Sequence, residues 1–273
     1  MKKIIQANPV VWFIILTFLF SWCLWMLMIL SGKGLLPFHF PTNFLGSFGP
    51  AFGAIAVLWI IEGKSGAKKL LKSLFQWKSS IKNYLFALFL FVLIYGLSIF
   101  ITFLINPSAI EFNKTPNVAE LIIYFFIVLI FGGPLGEEIG WRGFLQPKLQ
   151  ENYNPLITTI IISAIWFLWH IPLFWLEGAA QAGESIPLFA VSIFTISFLF
   201  TWLFIQSNGS LLLAIIFHTS INFISGIFVP AILPTIENNK TFNSISISIL
   251  VFITALFVIK SFKQFKTKNK SNA

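Results

Sequence analysis

Eight apolar runs, each long enough to cross a bilayer, constrain this chain more than any other feature it has. They lie at roughly 9–30, 44–61, 83–105, 118–150, 155–176, 186–205, 209–230 and 244–262, and a helix crosses a bilayer core with about 20 apolar residues. The fourth run is too long for one straight span. "GGP" at 132–134 gives it a break, because proline removes a backbone donor and glycine adds conformational freedom. In lipid every backbone N–H and C=O needs a partner within its own segment or in a closed barrel, and runs this long and apolar are not barrel strands. The expectation is an all-α polytopic membrane protein, one integral-membrane domain over 1–273 with about eight transmembrane helices.

The first run follows Lys2 and Lys3. It is too long for a signal peptide and no small-x-small cleavage site closes it, so it is expected to stay as an anchor. The single cysteine, Cys23, falls inside it, which leaves no disulfide framework. The net charge of +9 comes from lysines at the borders of the runs, with no nucleic-acid motif, so the expected partner is the lipid bilayer and its anionic headgroups. With eight spans both termini share a side, and 15 of the 18 basic residues then fall on that side, leaving Lys33, Lys114 and Lys240 opposite. Positive residues favour the inside. Both termini, the 62–82 loop and a basic tail at 260–273 are therefore expected in the cytoplasm, with the chain in the cell membrane. His39, between two prolines, reads as an exposed loop histidine.

Against this background "GGPLGEEIGWRGFLQ", residues 132–146, stands out: it holds two adjacent glutamates and the chain's only arginine. An ionisable side chain at membrane depth costs at least about 2.5–3.5 kcal/mol, so such residues usually face the bundle interior and mark function. Glu138 and Arg142 are spaced i, i+4 on one helical face and can neutralise each other. Glu137 points about 100° away and keeps an unassigned charge. Two of the three histidines, His170 and His218, also lie inside apolar runs, and Asn222 follows one turn after His218 on the same face.

Depth tests whether these groups meet. The turn "ENYN" is centred near residue 153, with Glu137 and His170 about equally far before and after it in the chain. At 1.5 Å per residue both stand roughly 25 Å from that turn, level on antiparallel neighbours. His218 and Asn222 lie roughly 15 and 20 Å from the start of their own span on the same side. Carboxylates, imidazoles and an amide converging in this way suit three chemistries. One is activation of water by Glu137, since a desolvated carboxylate is a better base, with His and Asn donating to an oxyanion. A second is a zinc site on His170, His218 and Glu137, although the HExxH helix is absent. The third is a proton relay of a transporter.

Three motifs in order resemble those of the CAAX prenyl protease and bacteriocin-processing (CPBP) intramembrane endopeptidases. "EEIGWR", Glu137 to Arg142, is similar to EExxxR; "WFLWH", Trp166 to His170, to FxxxH with Trp in place of Phe; and "HTSIN", His218 to Asn222, to HxxxN/D. The resemblance covers about 118–230, the expected catalytic core, and more weakly "SFGPAFGA" at 47–54. It implies eight helices and peptide-bond hydrolysis in the membrane at a site open to the cytoplasm. Its substrates would be membrane-associated, CAAX-like or bacteriocin or leader peptides. It also implies that Glu137 activates the water, Glu138 and Arg142 shape the site, His170 positions the water, and His218 with Asn222 forms the oxyanion pocket. No cofactor is required on this reading; zinc is the alternative. Some members of the family act in bacteriocin immunity or as scaffolds without needing proteolysis.

Overall fold

The computed structural model describes residues 2–37, 44–113, 116–236 and 239–267. His39 and the end of the basic tail lie outside them. Among the described residues all regular structure is helical. The helices are α1 (Lys2–Ala7), α2 (Pro9–Gly32), α3 (Gly49–Glu62, entered through a 3-10 turn at Phe44–Phe48), α4 (Lys64–Ser73), α5 (Ile81–Ile105), α6 (Val118–Phe131), α7 (Pro134–Gly140), α8 (Gln146–Gln150), α9 (Pro155–His170), α10 (Ile186–Gln206), α11 (Leu211–Phe223), α12 (Val229–Ile232), α13 (Lys240–Lys260) and α14 (Phe262–Lys266). Seven spans are long and apolar enough to cross a membrane, and α6 with the 134–150 segment, bent by 40°, makes an eighth. The chain is an all-α, multi-pass membrane protein.

Two expectations change in detail. The last span starts at Lys240 rather than near 244, because the Asn239 side chain accepts the backbone N–H of Phe242 and so caps the helix inside the polar loop. The lysine-rich 62–82 loop contains the helix α4, which buries Ala67 and Leu70 and exposes Lys64, Lys68, Lys69 and Lys72. That is the pattern of a helix lying in a headgroup layer. Arg142 is buried, so it leaves the tally of border charges.

The bundle is apolar outside and mixes apolar and small polar side chains within. Leu93, Phe100, Phe126, Phe252 and Ile259 are exposed, while Thr17, Ser21, Ser98, Ser163 and Thr219 are buried. Lipid tails are as apolar as leucine, so helices associate through close packing and interhelical hydrogen bonds instead. The α2–α3 pair shows both. A Cβ on Gly49 would stand 2.8 Å from the Thr17 carbonyl oxygen, and one on Gly53 3.0 Å from that of Phe13. Ser21 Oγ donates to the Gly46 carbonyl at 2.7 Å. The "SFGPAFGA" stretch is thus a packing surface.

Candidate active site

The break in the fourth span positions the site. Gly133 takes φ +105, a conformation that disfavours side chains, and a Cβ there would stand 2.5 Å from Glu137 Oε1. Beyond it, Gly136 and Gly140 turn one face of α7 onto residues 47–50. Their Cβ atoms would stand 2.6 Å from the Ser47 carbonyl oxygen and 2.5 Å from that of Pro50. This small-xxx-small contact, readable as "GEEIG", fixes α7 so that Glu137 and Glu138 address the interior. A π-helical turn at Trp141–Leu145 follows, and a second, at Ile224–Phe228, follows α11. Such turns re-aim side chains and recur at functional sites.

Glu138 is fully buried and its Oε1 takes two partners, Arg142 Nη1 at 3.0 Å and His218 Nδ1 at 2.7 Å. The expected i, i+4 pair is present, and it also holds a histidine from a distant helix. The Arg142 guanidinium is further covered by aromatic faces, 3.8 Å from the Phe200 ring centre and 4.8 Å from that of Trp166. Burying a charge this deeply is tolerable only with such partners.

Glu137 is 5% exposed, and its Oε2 accepts the Trp166 indole N–H at 2.7 Å. The Trp in place of the motif's Phe is therefore more than an aromatic wall, because phenylalanine has no hydrogen to give. His170, the last residue of α9, places Nδ1 2.8 Å from the Trp166 carbonyl oxygen. A carbonyl only accepts, so Nδ1 carries the hydrogen and Nε2 of the neutral ring holds the lone pair. A carboxylate likewise only accepts, so His218 Nδ1 donates its hydrogen to Glu138 Oε1. The half-buried Asn222 donates one Nδ2 hydrogen to the Gly132 carbonyl at the helix break, 3.0 Å away, and keeps a second.

Glu137, His170, His218 and Asn222 all line one cavity of about 560 Å³. Glu138 and Arg142 stand behind its wall. All six residues singled out in the sequence thus belong to one assembly, four facing the cavity and two supporting it. Among the described residues no three His, Cys, Asp or Glu side chains group as ligands for a metal ion. The indole of Trp166 and the glycine pair of α7 were missed as site-forming residues. Both carried a legible signal, an N–H donor in a Phe position and a G-x-x-x-G spacing.

Two likenesses to known proteins bear on this chain, and the first falls on this assembly. Residues 119–224 match the family described as type II CAAX prenyl endopeptidase, Rce1-like. Over 92 residues the chain is 36% identical to CAAX prenyl protease 2 of Methanococcus maripaludis, a stretch covering 32% of this chain and 34% of that protein. The match therefore spans about a third of the relative. Residues 119–224 contain the helix break, both histidine segments and Asn222, and over this core the chain is similar to the type II CAAX prenyl endopeptidases.

Proposed function

We propose that the chain is an intramembrane endopeptidase that hydrolyses peptide bonds of membrane-associated substrates through a water activated by Glu137. The observation that carries this reading is the facing of one carboxylate, two imidazoles and an amide into a single cavity, with a buried ion pair behind them. Water would sit between Glu137 Oε1 and His170 Nε2. Trp166 occupies Oε2 of the same carboxylate, so Oε1 is the oxygen available to take the water's proton. The water oxygen then bonds to the peptide carbonyl carbon. The second hydrogen of Asn222 and Nε2 of His218 donate to the resulting oxyanion. His218 can donate there only as the imidazolium, because its Nδ1 hydrogen is committed to Glu138. In that form Arg142 and His218 balance Glu137 and Glu138, and the buried assembly is neutral as a whole. Collapse of the tetrahedral intermediate breaks the C–N bond, and Glu137 returns its proton to the leaving amine.

On this reading no cofactor takes part, and both termini lie in the cytoplasm, on the side of the lysine-rich border. Purified protein tests the mechanism. Cleavage of a membrane peptide is expected to survive chelation and to vanish in Glu137→Gln. Stoichiometric zinc by elemental analysis, with activity lost on chelation and restored by zinc, would overturn it in favour of a metal centre.

A further inference from the structure

Among the described residues, the lining of the cavity reaches the border of the bundle at one end and not at the other. Its lining includes Gln181 and Glu184 from the loop between α9 and α10, Ile227 near the end of the seventh span, and Ser246 near the start of α13. No residue from the opposite set of borders, 62–82, 148–154, 206–210 or 260–267, lines it. Toward that opposite end the bundle is closed below Glu137, where Arg142, Leu145, Gln146 and Leu149 are all buried. Glu137 stands roughly 20 Å along its helix from Gln150 at the closed end. At the open end only the five-residue turn Ile171–Trp175 separates His170 from the loop.

The two ends differ in charge. Among the described residues the closed end carries the lysines of α4, Lys78, Lys82, Lys148, Lys260, Lys263 and Lys266, with Glu62 and Glu151 as its acids. Among the described residues the open end carries Lys33 and Lys240 against Glu111, Glu120, Glu177 and Glu184. Lysine-rich borders face the cytoplasm, and α4 has the form of a helix resting on an anionic inner leaflet. The cytoplasmic opening implied by the family resemblance therefore conflicts with the charge distribution of this chain.

We propose that the cavity opens on the extracytoplasmic face, and that its substrates are apolar peptide segments of exported or membrane-inserted proteins, reaching the site from the outer side. This rests on the endopeptidase reading for the word substrate, while the side of opening stands on geometry and charge alone. The lining fits such a segment. Trp25, Phe91, Phe131, Phe189 and Leu250 supply apolar walls, no lysine or arginine among the described residues lines the cavity, and Glu184 at its mouth favours a neutral or cationic peptide over an acidic one.

The test uses full-length protein carrying Cys23→Ser, with one new cysteine at Ala182, exposed in the mouth loop, or at Lys69, exposed on α4. A bulky, membrane-impermeant maleimide is applied to intact cells. Ala182→Cys is expected to label from outside and Lys69→Cys only after permeabilisation. Labelled Ala182→Cys protein is expected to release at least tenfold less Glu137-dependent peptide product than the unlabelled variant. Labelling of Ala182→Cys only after permeabilisation would overturn the proposed side. Labelling from outside with undiminished product would overturn the proposed route. Labelling from outside in cells where even wild-type protein yields no Glu137-dependent product leaves the side standing and removes the endopeptidase reading instead.

Discussion

At the residue scale, the account turns on which hydrogen each polar group has already spent. Glu137 has given one oxygen to Trp166, His170 its Nδ1 hydrogen to a carbonyl, His218 its Nδ1 hydrogen to Glu138, and Asn222 one of two amide hydrogens to Gly132. What remains faces the cavity. Replacing Asn222 with alanine is expected to slow turnover by roughly 10²–10³, the usual cost of one oxyanion donor, measured as kcat on a membrane peptide. Trp166→Phe keeps the ring but frees the second oxygen of Glu137. A hydrogen bond to a charged group is worth about 1.5–3 kcal/mol, so kcat is expected to fall roughly ten- to hundredfold with KM nearly unchanged. Equal kcat in the two proteins would show that the indole N–H does nothing for Glu137. The sequence already showed the chemical types and their helical faces, because i, i+4 spacing is local. It did not show the link between Glu138 and His218, which are 80 residues apart and meet only through packing.

At the element scale, a broken helix is held in place by glycines. The break at 132–134 and the eight spans were legible as length, proline and glycine. The ends of α4 and α13 were not, because an amphipathic lysine-rich helix and an asparagine cap look like polar loop in a hydropathy reading. Gly140→Leu is expected to push α7 off Pro50 and to lower both folded yield and melting temperature in detergent, since the contact there is with backbone and cannot give way. Arg142→Ala is expected to do the same by another route. It strands Glu138 in the core, and breaking a buried pair costs about 3–5 kcal/mol. An Arg142→Ala protein as stable as the parent, yet inactive, would instead assign the guanidinium a direct part in the chemistry.

At the scale of the whole molecule, charge and cavity define opposite ends. Reporter fusions at residue 70 and at the C-terminus are expected to report the cytoplasm; a signal from outside at both would invert the orientation. The distances for this arrangement were already in the sequence, which puts Glu137 and His170 about 25 Å from the turn near residue 153. That depth lies close to the far side of a core about 30 Å thick. Which way the cavity opens needed the packing of α7 against α3 and the filled core below Arg142. The central claim is that Glu137 cuts peptide bonds, and the most direct measurement compares membrane-derived peptides from cells carrying wild-type protein with those from cells carrying Glu137→Gln at equal folded abundance. The account predicts a set of internally cleaved, membrane-associated peptides present with the wild type and absent with the variant. Identical peptide sets, with the protein's cellular phenotype unchanged, would contradict it and assign the chain a non-proteolytic, scaffold-like role.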